Sequence, residues 1–390
     1  MRALWLLALM ASPAMAEPVE MGPRPLALVN AMADNDLKTR LLACADDPVR
    51  QTDFSIGHRG AALNYPEHSV EGYQAAVAMG AGIVECDVTF TSDHALVCRH
   101  AQDDLAETTN ILVTDLAARC TRPFSPARGA ECRASDLTLA EFRALEAMME
   151  GADKTARTVE GFMAGIPPWR GTAHQPASLI THAESIALLR DLGVKFAPEL
   201  KAPVVAMPRG AWTREAYAQA LIDDYEAAGI PPEHVWVQSF DLDDIRYWLK
   251  AEPEFARQAV FLDGRFRHGI DPMRPETFHP SMAELKAMGL NYIAPPLWML
   301  LTLSEGAIVP SPYATAATKA GLKIITWTLE RSGPLDNGGG WYFQTITDAV
   351  TGDGAVYEVL HVLAQDVGVV GVFSDWPATV SYYASCMGLD

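Results

Sequence analysis

Long apolar runs are scarce in this chain. Beyond its first residues no segment is apolar enough over a sufficient length to cross a bilayer, so no integral membrane segment is expected after that point. Cations are scarce as well: 30 Lys and Arg stand against 49 Asp and Glu, a formal charge of −19. That excess repels nucleic acid backbones and anionic lipid surfaces, and no nucleic-acid partner is expected. An anionic small molecule would need local help from metal ions or a few placed cations, because a broad basic groove is missing. No internal repeat or low-complexity tract is evident, and disorder is not the expectation for a chain that is 49% hydrophobic.

What is there begins with Met1 to Ala16, where Arg2 precedes an apolar run from Ala3 to Met10, a break at Pro13 and the small-residue pattern Ala14-Met15-Ala16. This is the build of a secretory signal (residues 1–16) cleaved after Ala16, leaving a mature chain of residues 17–390 in a periplasmic or secreted setting. Six cysteines in such a compartment make disulfides the expectation. Cys120 and Cys132 lie close together in a polar segment, and Cys44 and Cys386 near the two ends of the mature chain; these are the preferred pairs. Cys86 and Cys98 sit in strand-like runs and are expected to remain buried thiols.

Eight short runs rich in β-branched residues alternate with helical stretches: 55–60, 83–90, 195–201, 234–240, 258–263, 290–295, 322–329 and 369–375. Helices are expected at 69–79, 212–228 and 282–288, each closed by a glycine. Eight such units imply an α/β fold of the TIM type, a closed (β/α)8 barrel. The interruption from about residue 101 to 177 is too long for an ordinary loop, carries a helix candidate at 138–149, and reads as a cap inserted after the hairpin of the second strand. A second long connection, Arg331 to about Ala349, holds Ser332-Gly333-Pro334 and Asn337-Gly338-Gly339-Gly340-Trp341 and is expected to be mobile at its start. Both leave from C-terminal strand ends, the barrel face on which active sites form.

The chemistry gathers at those same ends. His58 and Arg59 close the first strand, between Gly57 and Gly60; alone they are as often structural as catalytic. Glu85 and Asp87 are two residues apart in the second strand and therefore share a face. If that face is the barrel interior, two carboxylates need neutralising, and a hard divalent cation with oxygen ligands does so. The runs around Thr91 to Ala95 read as a hairpin; with its turn centred between Asp93 and His94, His100 lies across from Asp87 and Cys86 faces away from Cys98. Glu199 and Lys201 share a face at the end of the third strand, adding a third carboxylate and a cation. Arg59 and Lys201 can hold phosphate oxygens, while Trp327 is a candidate pocket wall and an equally good packing residue. His182, beside Thr181, is expected at a helix entry, and His174, His268, His279 and His361 have no supporting neighbours.

In order along the chain stand His58-Arg59-Gly60, Pro66-Glu67-His68-Ser69, Glu85-x-Asp87-Val88, Thr91-x-Asp93, His100, Pro198-Glu199-Leu200-Lys201, Ser239-Phe240, Trp327 and Ser374-Asp375-Trp376-Pro377. This pattern resembles the glycerophosphodiester phosphodiesterase family, its periplasmic branch in particular, over about residues 54–380. The resemblance implies that His58 and His100 form an acid–base pair, that Glu85, Asp87 and Glu199 bind one divalent cation, Ca2+ or Mg2+, and that Arg59 and Lys201 bind the phosphate of the substrate. It also implies attack by the substrate's own glycerol hydroxyl, a transient cyclic phosphate, and release of glycerol 3-phosphate and a free alcohol. One position departs from the family: Ala101 follows His100 where an Asp is usual, with Asp103 and Asp104 as possible substitutes. The competing readings are a lysophospholipase D or sphingomyelinase D-like enzyme on the same barrel, a barrel that only binds a phosphoester, and a carboxylate-pair glycosidase. The last would leave two histidines and two cations idle.

Overall fold

The computed structural model describes residues 19–126 and 128–390, and the expected signal segment lies outside them. Eight parallel strands close into a barrel: Thr52–Gly57, Ala81–Phe90, Lys195–Leu200, Gln238–Ser239, Val260–Leu262, Tyr292–Ala294, Lys323–Leu329 and Gly371–Ser374. Closure comes from the first strand, which pairs with the eighth at Ser55–Val372 and with the second at Ile56–Ile83. All eight strand expectations are met. The expected helices appear at Val70–Ala78, Arg214–Ala227 and Met282–Ala287, capped by Ser69, Thr213 and Ser281, whose hydroxyls accept backbone N–H groups of the first turn.

Alternation along the second strand explains why the site has a floor. Val84, Cys86 and Val88 point outward into the core shared with the helices, while Ile83 joins Ile56, Ala197, Val260, Ile325 and Phe373 inside the barrel. Glu85 and Asp87 follow on the inner face, one and two steps nearer the C-terminal mouth. The barrel interior is thus apolar below and acidic above.

The segment from 101 to 177 packs a separate small core around Leu105, Ile111, Leu137, Phe142, Leu145 and Phe162. Its expected helix over 138–149 is much shorter, Leu139–Phe142, although Thr138 and Glu141 form a capping box at its start. The backbone beyond is taken up elsewhere: Glu146–Ala147 pairs with Ala177–Ser178, and Met148 N–H donates to the Thr108 carbonyl. At the first residue of the connection after the seventh strand, Arg331 bonds Asp375 and Glu150.

Three disulfides are present: Cys44–Cys386, Cys120–Cys132 and Cys86–Cys98. The third corrects the expectation of two thiols. The hairpin pairs Val88 with Cys98 and Phe90 with Leu96, so its turn is centred on Asp93, with His94 in the left-handed region at φ 65°. A shift of one residue exchanges the faces of a strand, and this one brings Cys98 onto the outward face with Cys86.

Candidate active site

The first barrel strand ends in a turn that sends the chain back over the helix Val70–Ala78. Gly60 has φ 96°, and a Cβ there would lie 2.8 Å from the Gly72 backbone, so the turn tolerates only glycine. Arg59 itself sits at φ 56°, a strained value for a side-chain-bearing residue. The conformation lets the Arg59 N–H donate to Glu85 Oε2 at 3.1 Å while its guanidinium donates to Glu67 Oε2 at 2.7 Å. Glu67 therefore fastens Arg59 at the mouth.

All eight candidate residues line one cavity of about 840 Å3: His58, Arg59, Glu85, Asp87, His100, Glu199, Lys201 and Trp327. His100 reaches it although the register expected for it is wrong by one residue. The regular strand stops at Cys98, and the chain turns inward after Arg99 N–H has donated to the Asp87 carbonyl at 2.7 Å. The Ala101 N–H then donates to Asp104 Oδ2 at 2.8 Å. Asp104 thus braces the backbone just after His100, at the place where the family pattern has its Asp; burial raises the Asp104 carboxyl to about 7.

Oxygens of Glu85, Asp87 and Glu199 lie within 4.8 Å of one another, all buried. Burial and then mutual repulsion hold Glu85 well above the usual carboxylate range, and burial, against the pull of Lys201, raises Glu199 to about 8. Burial acts on Asp87 in the same sense, but Lys201 and His68 outweigh it and keep Asp87 low. Lys201 Nζ is 2.6 Å from Glu199 Oε1 and 3.8 Å from Asp87 Oδ1. Gln238 Nε2 donates to Glu85 Oε1 at 2.9 Å, and His68 Nε2 lies 2.9 Å from Asp87 Oδ2 with its Nδ1 on Tyr73. Asp87 Oδ1 is buried with no hydrogen-bond partner. Three crowded carboxylates, one with an unused oxygen, fit a hard divalent cation.

On the adjoining first strand, His58 Nδ1 is 2.5 Å from Asp375 Oδ1, and its Nε2 is 3.8 Å from Glu85 Oε2. Asp375 Oδ2 meets Arg331 at 2.9 Å and Arg170 at 3.5 Å. Arg331, His58 and Arg170 overcome the burial of Asp375 and hold its carboxyl far below the usual range. Burial lowers His58 to about 4 and His100 well below its ordinary value. Trp327 stands edge-on to Phe240 and stacks with Trp341, and its Nε1 donates to the Ala294 carbonyl at 2.8 Å.

Asp375, Arg331, Arg170, Glu150, His68 and Gln238 were not singled out as site residues by sequence. Asp375 sits at a strand end within the Ser374-Asp375-Trp376-Pro377 motif, and Gln238 directly precedes Ser239-Phe240, which are usable signals. His68 lies in the Pro66-Glu67-His68-Ser69 motif. Arg331, Arg170 and Glu150 come from long connections with no periodicity, and nothing local marks them.

The Glycerophosphoryl diester phosphodiesterase family matches residues 58–379. A fungal protein of Arthroderma benhamiae named "Extracellular protein" is 46% identical over 251 residues, 62% of this chain and 100% of its own length. A Mycobacterium tuberculosis relative named "Probable glycerophosphodiester phosphodiesterase 1" is 45% identical over 56 residues, 14% of this chain and 20% of its own. Among solved structures, a protein of Silicibacter pomeroyi described under the same family shares the fold at TM-score 0.58 and 21% identity, covering 90% of this chain and 99% of that one. A phosphodiesterase of Oleispira antarctica, solved with the product sn-glycerol-3-phosphate, matches at TM-score 0.51 and 17% identity over 87% and 97% of the two chains.

Proposed function

Because the chain belongs to the glycerophosphoryl diester phosphodiesterase family, and so to the phosphoric diester hydrolases, we propose that it hydrolyses glycerophosphodiesters to glycerol 3-phosphate and an alcohol, with His58 and His100 as its acid–base pair. The observation that carries this reading is the convergence of two imidazoles, three carboxylates and two cations on one cavity. Product bound in the Oleispira antarctica phosphodiesterase supports the glycerol 3-phosphate half of the substrate.

Glu85, Asp87 and Glu199 would hold the cation, Ca2+ or Mg2+, which supplies stabilisation of charge on the phosphoryl oxygens. Arg59 and Lys201 bind the same anion from the protein side. With Asp375 accepting the proton of Nδ1, the Nε2 lone pair of His58 faces the cavity and takes the proton of the attacking glycerol hydroxyl. The P–O bond to the alcohol breaks, His100 protonates the departing oxygen, and water then opens the cyclic phosphate. Arg59 and Lys201 both depress the pKa of His100, so neutralisation of that pair by the incoming phosphodiester favours the protonated ring. Trp327 forms a wall of the substrate pocket.

A coupled assay for glycerol 3-phosphate over several glycerophosphodiesters, with and without added cation, tests the reading. Release of sugar, or no glycerol 3-phosphate from any of them, sinks it. Exposed Trp341 in the cavity lining favours a lysophospholipid as the second reading; lysophosphatidylcholine in the same assay separates the two, since it would yield choline and no free glycerol 3-phosphate. Export from the cytoplasm, to a periplasmic or secreted location, is supported by three disulfides and by the extracellular name of the fungal relative.

A further inference from the structure

Three guanidinium groups converge on the carboxylate of Glu150, a residue of the 101–177 insertion. Its Oε2 lies 2.6 Å from Arg331 Nη2, 3.0 Å from Arg170 Nη1 and 3.9 Å from Arg59 Nη1. Arg331 is the informative partner, because its two arms are divided: Nη2 goes to Glu150 and Nη1 to Asp375 Oδ2 at 2.9 Å. The other oxygen of Asp375 is the one that meets His58.

A guanidinium beside a single carboxylate prefers the two-armed pairing in which both oxygens accept. At Asp375 the second oxygen is contested between that arm and His58, which holds it at 2.5 Å. Glu150 decides the contest by occupying the second arm of Arg331. We propose that Glu150 is a positioning residue that splits the Arg331 fork, so that Asp375 keeps one oxygen free to hold the Nδ1 proton of His58. The inserted segment thereby governs the tautomer of a ring at the end of the first strand. The catalytic part of this inference rests on the reading of His58 as the general base; the geometric part does not.

Replacing Glu150 by Ala frees the second arm of Arg331, which turns onto Asp375 and competes with His58. Arg331→Lys offers a single point charge that cannot span both oxygens. An uncommon pattern is therefore expected: Glu150→Ala is impaired, and adding Arg331→Lys to it restores part of the loss. With glycerophosphocholine as substrate, Glu150→Ala should lower kcat by about 10 to 10²-fold, within the range for disturbed acid–base catalysis, with KM changed little. The double variant should recover at least about threefold of that loss, a partial return toward the acid–base rate. Losses that simply accumulate in the double variant would overturn the proposal, as would a Glu150→Ala enzyme with unchanged kcat.

A second readout needs no substrate. In protein labelled with 15N-histidine, the ring nitrogens of His58 should report Nδ1–H in the wild type and a mixture of tautomers in Glu150→Ala, with the Nδ1–H form regained in the double variant. Identical His58 signals in all three proteins would refute the fork-splitting role. If the wild type releases no glycerol 3-phosphate, the proposed function fails while the ring signals still decide this inference.

Discussion

On the wall built by the second and third barrel strands, Glu85, Asp87 and Glu199 share Lys201 and an Arg59 already tied to Glu67, and two of the three carboxyls are driven above their ordinary range. On the wall built by the eighth strand, the single carboxylate of Asp375 has a histidine and two arginines, the arginines shared only with Glu150, and is driven far below it. Both groups of acids are buried, so burial is not what separates them. The difference lies in whether the chain supplies its own counter-charge. One wall is left electrically incomplete and fits an external cation, while the other is completed by arginines from two connections and needs none.

The largest effect should come from the incomplete wall. Chelation is expected to abolish turnover, calcium or magnesium to restore it, and Asp87→Asn to cost on the order of 10² to 10³ in kcat, comparable to the loss of one charge-stabilising group. Full activity in excess chelator would erase the contrast between the walls. The same wall has a pH signature in the ion-free protein. A carboxyl whose folded pKa is raised stabilises the fold below its unfolded value and loses that contribution as pH rises through the folded one. With Glu199 at about 8, ion-free protein should lose thermal stability between about pH 5 and pH 8, and saturating cation should flatten that slope. A melting temperature with the same pH slope in both forms would remove the cation from this wall.

Next comes the division of labour between the histidines. His100→Ala should lose roughly 10² to 10⁴-fold on glycerophosphocholine and regain much of it on an analogue with a nitrophenol leaving group, which departs without a proton. His58→Ala should be impaired on both, and rescue of His58→Ala instead would exchange the two roles. Smaller is the contribution of the Cys86–Cys98 bridge, which ties the strand of Glu85 and Asp87 to the one leading to His100. Changing both cysteines to serine should cost about 3 kcal/mol of stability by the loop-entropy argument, seen as a lower midpoint in denaturant, and mass mapping of unreduced peptides checks the bridge itself. Smallest is Trp327→Phe, which keeps an aromatic wall but loses the bond to the Ala294 carbonyl; KM should rise by less than about tenfold, as expected when one pocket contact is lost, and a fall in kcat alone would move Trp327 into the reaction itself.

The carboxylate wall was legible in the sequence because its parts obey strand periodicity. Residues two apart in a strand share a face whatever surrounds them, so Glu85 with Asp87, and Glu199 with Lys201, could be paired from spacing alone. The Asp375 wall has no such rule. Asp375 sits in a recognisable motif, yet its partners Arg331, Arg170 and Glu150 come from irregular connections.

The hairpin shows the boundary between the two cases. Its existence followed from two apolar runs around a turn, but its register depended on His94 taking a left-handed conformation, a matter of a single residue. That residue decided whether Cys86 and Cys98 met, and the correct pairing was hidden until the turn was seen. His100 reached the cavity all the same, because the strand stops before it.

By itself the sequence determined the barrel, its eight strands and the shared face of Glu85 with Asp87 and of Glu199 with Lys201, since all of these rest on short-range periodicity within single strands. Only the tertiary structure decided which acids are compensated and which are not. That property depends on arginines far away in sequence, brought in by segments whose paths are set by packing against the barrel rather than by any local pattern.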